Sequence, residues 1–308
     1  MRMRPDPVSG RDLLRGILPR MRVSARIVGV TIVVLAVIAG NIWSAAIHAD
    51  RQGILAVSFL DIGQGDSIFI QAPSGRTALI DGGPDASVLR ELAKELPWYD
   101  RTIDVVIPTH PDADHITGLV DVLERYKVSY VIQSSVEGDT PIWHTLESTI
   151  AADATKGATV ITAMRGQVVD LGSGAYLEVL SPDRSVPNVD TNDGCVVTRL
   201  VYGATSFMLS CDAPQSIEDY LVYLDGKSLQ STVLKAGHHG SKTSSSPLFV
   251  GFVHPQYAVY SRGCNNKYGF PDAETVATFK QFGVPTLDTC LDGTVTFTSD
   301  GTSVELQK

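Results

Sequence analysis

The sequence predicts an α/β fold: two sheets packed face to face with helices outside, behind one helix able to span a membrane. Three observations predict it. Short apolar runs separated by Gly, Asp and Pro turns read as strands. Blocks of such strands are followed by helical patterns, twice over, the arrangement that buries two sheets between helices. And the 21 residues from Ile27 to Ile47 carry no formal charge, directly after an arginine-rich head.

The chain has 308 residues, 44% of them hydrophobic and 19% charged. Those proportions exclude a disordered chain, a disulfide-dense miniprotein and a coiled coil, so no coiled-coil partner is expected. Charge divides the sequence. Residues 1–50 hold seven Arg, no Lys and three acidic residues, a net of +4, which leaves residues 51–308 with 18 basic and 31 acidic side chains, a net of −13. A basic head is joined to an acidic body.

In the head, residues 1–26 form a basic tail and residues 27–47 a span of about 31 Å at the helical rise, close to the thickness of a bilayer core. The arginines before the span and Asp50 after it place the N-terminus in the cytoplasm and everything beyond Asp50 outside. The expected location is therefore the cell membrane, single-pass, with an extracytoplasmic body. A cleaved signal peptide is the alternative, since Ser44 and Ala46 suit a small-residue cleavage rule. The length of the apolar stretch favours an uncleaved anchor.

Residues 51–308 read as one domain. Strands are expected at 55–60, 67–71 and 78–80, then at 105–107, followed by a helix whose face is Ile116, Leu119, Val120 and Leu123. A strand at 128–132 precedes a helix at 142–152. Residues 195–201 and 206–211 form a hairpin around Tyr202–Gly203, with strands at 232–235 and 257–260 and a helix at 273–282. Strands at 295–297 and 304–306 close the chain.

The strongest chemical signal is Thr109-His110-Pro111-Asp112-Ala113-Asp114-His115, between a buried strand and an amphipathic helix. Imidazole and carboxylate groups alternating at a strand end can converge on metal ions, and Asp114 and His115 at the helix start can serve a second ion beside the first. Such a pair acidifies water and clamps both oxygens of a displacement at phosphorus. The plain alternative is a polar loop whose Asp caps the helix. It accounts for one Asp, not for two His and two Asp in six residues.

The motif H-x-D-x-D-H resembles that of the metallo-β-lactamase fold, and its Asp at the third position is similar to the extracellular hydrolase domain of the competence protein ComEC. Further likenesses run through nearly the whole body: Phe59 to Asp66, Leu79-Ile80-Asp81-Gly82-Gly83, Asn192-Asp193, His238-His239-Gly240-Ser241-Lys242, and Asn266-x-Tyr268-Gly269. The resemblance implies an αββα four-layer sandwich over residues 51–308 and a stand-alone phosphodiesterase or nuclease without the channel. It implies that His110 and Asp112 hold a first metal, Asp114 and His115 a second, and that Asp212 bridges them. Of His238 and His239 one completes the second site; His238 is favoured as ligand and His239 as a catalytic or substrate contact. Asp66 and Asp81 would stiffen the metal loop, Asp114 and Lys242 would serve catalysis, and Ser241, the hydroxyls of Ser244–Ser246, Asn266 and Tyr268 would meet substrate.

Three departures from that pattern stand out. Between residues 116 and 211 there is only His144, on an expected helix, so Asn192 or Asp193 takes the place of a third His. The first site is then rich in oxygen, which moves the expected metal from Zn²⁺ towards Mn²⁺ or Mg²⁺. Cys211 stands where the family has Gly, and Phe270 where it tends to have His.

Cys195, Cys211, Cys264 and Cys290 lack C-x-x-C spacing, which argues against a zinc ribbon. Export permits the pairs Cys195–Cys211 and Cys264–Cys290; four buried thiols remain the alternative. The resemblance implies single-stranded DNA as substrate and a separate uptake channel as partner, with a choline-decorated wall polymer or a silent binding module as the other readings. A net charge of −13 argues against an extended basic groove for DNA.

Overall fold

A computed structural model describes residues 25–49 and 53–307. The chain separates into two units, Met1–Asp50 and Arg51–Lys308. In the first, α1 (Ala25–Ala49) contains the expected 27–47 stretch, and its segment Arg26–Trp43 is long and apolar enough to cross a membrane. Two of its polar side chains turn back onto their own helix: Thr31 Oγ1 donates to the Ile27 carbonyl at 2.9 Å and Asn41 Nδ2 to that of Val37 at 2.7 Å. Each bond satisfies a donor within the helix, which suits a helix in lipid. Most of the basic tail, residues 1–24, and Asp50 lie outside the described residues.

The first half of the body contributes β1 (Leu55–Phe59), β2 (Ile68–Gln71), β3 (Thr77–Ile80), β4 (Thr102–Ile107), β5 (Lys127–Gln133) and β6 (Thr159–Thr162). Between them run α2 (Ser87–Glu95), α3 (Ala113–Arg125) and α4 (Pro141–Thr155). The second half contributes β7 (Val168–Gly172), β8 (Ala175–Ser181), β9 (Val197–Tyr202), β10 (Thr205–Leu209), β11 (Val233–Lys235), β12 (Tyr257–Tyr260) and β13 (Thr286–Asp288). Its helices are α5 (Gln215–Asp225), α6 (Pro247–Val253), α7 (Ala273–Gln281) and the short α8 (Thr289–Asp292). Strands β14 (Val295–Ser299) and β15 (Val304–Leu306) return to the first sheet.

The eight-stranded sheet runs β15-β14-β1-β2-β3-β4-β5-β6 and the seven-stranded sheet β13-β12-β11-β10-β9-β8-β7. Period-two alternation assigns each strand's side chains to two faces. Ala78 and Ile80 join Phe207 and Leu209 in the core between the sheets, while Leu79 turns outward onto α2, α3 and α4, and Met208 outward onto α5 and α6. The result is the expected αββα sandwich. The sequence reading does not contain α2, β6, β7, β8, α5, α6, β13 or α8.

Strands β3 and β4 are parallel, as are β10, β11 and β12. Their carboxyl ends therefore open along one rim, where α/β sheets place their ligands. Two close backbone approaches lock α3 to that rim. A Cβ on Gly118 would sit 2.0 Å from the Gly82 carbonyl oxygen, and one on Gly65 equally close to that of Asp114.

Candidate metal centre

The metal loop leaves β4 after Ile107 and enters α3 at Ala113. Asp112 takes the helix N-cap position, but its side chain makes no capping bond. Its Oδ2 lies 3.7 Å from His110 Nε2 instead. The capping alternative thus fails for this carboxylate.

Asp81, at the end of β3, binds the loop from behind. Its Oδ1 accepts from the Thr109 backbone N–H at 2.8 Å and its Oδ2 from Thr109 Oγ1 at 2.7 Å. Oδ2 also lies 2.8 Å from His115 Nδ1. That contact occupies Nδ1 and directs Nε2 into the rim, the usual way a carboxylate orients a metal-binding imidazole.

The second sheet supplies the other half. Asp212 follows β10, with Oδ2 3.3 Å from His115 Nε2 and 3.3 Å from His239 Nε2. Its Oδ1 faces Lys235 Nζ at 3.1 Å. Lys235, fully buried at the end of β11, also meets Asp66 Oδ2 at 2.5 Å and the Cys211 carbonyl at 2.8 Å. All three ammonium hydrogens are thereby used, and only Oδ2 of Asp212 remains for the rim. His238 and His239 both adopt left-handed backbone, φ 47° and 56°. The turn sends His239 inward, where Nδ1 donates to the Ser261 carbonyl at 2.9 Å and Nε2 lies 3.4 Å from Asp114 Oδ2.

Burial works against charge here, yet the partners win. His239, Lys235 and His115 hold the Asp212 carboxyl well below the usual carboxylate range, and Asp66 is likewise lowered. Conversely, burial opposes protonation of His115, but Asp212 and Asp81 raise it well above its ordinary value. His239 is raised by Asp212 and Asp66 against the same burial. The cluster therefore carries an excess of negative charge, which protons on imidazole balance in the metal-free protein and which metal cations would displace.

The residues fit a metal. Among the described residues, His110 Nε2, His239 Nε2 and Asp66 Oδ1 are buried without a hydrogen-bond partner. His110, His115 and Asp212 bring one ligand atom each within 4.8 Å of one another, as do Asp114, His115 and His239. Imidazole nitrogen and carboxylate oxygen together suit Zn²⁺, Mn²⁺ or Fe.

The expected residues divide between the cluster and its surroundings. After the left-handed turn His239 is buried in the cluster and His238 sits at its margin, its Nε2 3.7 Å from Asp212 Oδ2. Lys242 is exposed and held through its backbone: its N–H donates to Asp272 Oδ2 at 2.8 Å and its carbonyl accepts from Gln215 Nε2 at 2.9 Å. Ser241 Oγ is spent on Thr243. Ser244 donates to the Ala213 carbonyl, Ser245 accepts from Gly237 and Ser246 caps α6. Asn266 uses its amide on Gly263 and Phe270, stitching its own loop and leaving nothing for a ligand. Asp193 is exposed, whereas Asn192 Oδ1 is buried and unpartnered, beside the Thr191 that hydrogen-bonds Asp112. His144 is exposed on α4.

Lys235 was missed. A lysine closing the apolar run Val233-Leu234, two residues before Gly237-His238, was the available signal. Cys211, at φ 43°, occupies the left-handed conformation that Gly would take without strain. It is joined to Cys195 and Cys264 to Cys290. The register pairs Tyr202 with Thr205, so Cys195 extrapolates opposite Asp212 and the first bridge joins diagonal neighbours past the strand ends.

Comparison with known proteins agrees with this fold. Residues 60–263 match the model of the metallo-beta-lactamase superfamily. The chain is 28% identical over 258 residues to ComE operon protein 3 of Bacillus subtilis, covering 78% of this chain and 32% of that protein. It is 30% identical over 243 residues to competence protein ComA of Neisseria gonorrhoeae, covering 79% and 32%. The chain thus spans about a third of the length of these curated relatives. Among solved structures, Igni18, a metallo hydrolase from Ignicoccus hospitalis, aligns with a TM-score of 0.51 at 13% identity, covering 79% of this chain and 98% of that one. The diiron β-hydroxylase CmlA from Streptomyces venezuelae gives 0.51 at 12%, covering 80% and 54%. At such identity these two structures show the fold alone.

Proposed function

Because the chain belongs to the metallo-beta-lactamase superfamily, we propose that its body is a metal-dependent phosphodiesterase that cuts single-stranded DNA on the outer side of a membrane. One observation carries the reading: imidazole and carboxylate groups from both sheets converge on Asp212 Oδ2, with two buried Nε2 atoms left unpartnered. His110, Asp112 and Asp212 would hold one divalent ion, and Asp114, His115, His239 and Asp212 the other. Mn²⁺ or Mg²⁺ suits the first and Zn²⁺ is acceptable at the second. Bound there, the ions supply Lewis acidity at phosphoryl oxygen and lower the pKa of water. The chain's own part is orientation: Asp81 fixes the His115 ring and Lys235 fixes the Asp212 carboxylate. The relatives are named for competence and, in one from Haemophilus influenzae, for recombination, which points to DNA. A separate channel protein would then pass the strand. The apolar length of α1 and the arginines before it support a body outside the membrane, and two disulfides suit an oxidising compartment.

The test uses the full chain in detergent with Mn²⁺ and bis(p-nitrophenyl) phosphate. Hydrolysis is expected, and its loss in Asp114→Ala; single-stranded DNA should then be cut in preference to duplex. Absence of hydrolysis with Mn²⁺, Mg²⁺ and Zn²⁺ alike would overturn the reading.

A further inference from the structure

A shelf of aromatic rings borders the metal cluster. Phe270 lies 5.6 Å from the His238 ring and 6.5 Å from that of His239. Tyr268 stacks on Phe270, centroids 5.3 Å apart and planes within 15°. Tyr268 is 53% exposed, and Lys267 Nζ rests 5.0 Å from its ring centroid. The loop that presents these rings is tied at both ends. Asn266 ties residue 263 to residue 270, the disulfide Cys264–Cys290 holds one end, and the Asp272 N–H donates to the Gly240 carbonyl at the other. An exposed tyrosine held so firmly is organised for a planar partner.

We propose that Tyr268 and Phe270 form a stacking subsite for the nucleobase next to the phosphate being cut, with Lys267 swinging from the Tyr268 ring to a neighbouring phosphate. This rests on the phosphodiesterase reading and gives its substrate class a structural determinant. Charge selects the occupant. A body of net −13 cannot hold a strand by neutralising many phosphates, so affinity must come from contacts indifferent to charge, and stacking is the one available to every base. A quaternary ammonium such as choline is disfavoured, because the two rings lie parallel instead of enclosing a cation.

Two readouts on the full-length protein in detergent test this. The first compares, with Mn²⁺, cleavage of a single-stranded oligonucleotide and of the same backbone made of abasic sites. The base-bearing strand should show a KM lower by about 5- to 100-fold, and Tyr268→Ala should erase most of that ratio. The second works in EDTA, without catalysis: fluorescence of 2-aminopurine in an oligonucleotide should be quenched on binding, and Tyr268→Ala should remove the quench. Quenching without cleavage in the first assay keeps the shelf and sinks the nuclease. Cleavage with equal KM for both strands and no quenching sinks the shelf and keeps the nuclease.

Discussion

Lys235 meets three oxygens in a place where water does not reach. Removing one partner of a buried ion pair leaves the other charge uncompensated, at a cost of about 3–5 kcal/mol. Lys235→Met should therefore lower the urea-unfolding free energy of the metal-free protein by that amount; a change below about 1 kcal/mol would show that Asp66 and Asp212 find other compensation. Asp81 acts through His115 and Thr109, so Asp81→Ala should weaken metal affinity by about 10–100-fold while the far-ultraviolet circular dichroism spectrum stays unchanged. Away from the metal, burial pushes Glu218 up to about 8, against the Ser245 and Ser246 N–H groups that hydrogen-bond it. An acid raised in the folded state holds its proton there after the unfolded chain has lost it, so its contribution is full below about 4.5 and is lost as the pH rises through about 8. Glu218→Gln should flatten the decline in stability between those pH values. An unchanged slope would place the titrating group elsewhere.

At the scale of elements, α3 carries Asp114 and His115, and its position depends on glycines that permit backbone contact. Gly118→Ala would bring a methyl within 2.0 Å of the Gly82 oxygen. It should cost about 1–3 kcal/mol in denaturant unfolding and loosen metal binding, because helix and Asp81 loop must part. A variant as stable as the parent would mean that the helix shifts freely. The element level also shows what could be read from residues alone. The strand–loop–helix around His110 was legible because an apolar run, a polar knot and a helical periodicity succeed one another. Strand β8 was legible too, in the alternation of Ala175, Leu177, Val179 and Ser181 inward, but was passed over. The choice between His238 and His239 was not, since two left-handed residues in succession follow no period and adjacent side chains leave in different directions. Nor did composition reveal that Asn266 and Ser244–Ser246 spend their polar groups on their own loops.

The molecule as a whole joins an apolar helix to an acidic sandwich whose two sheets each supply half of one cluster. Asp81, His110, Asp112, Asp114 and His115 come from the first, Asp212, Lys235 and His239 from the second, so the site exists only when the sheets pack. Its acidic excess asks for cations, which makes ion uptake the property most directly tied to the fold. The decisive measurement is metal content by mass spectrometry after the full-length chain is equilibrated with Mn²⁺ or Zn²⁺ and freed of excess. Two ions per chain are predicted for the parent, falling to one or none in Asp212→Asn. A parent that retains no ion, or an Asp212→Asn variant that retains as many, would contradict the account.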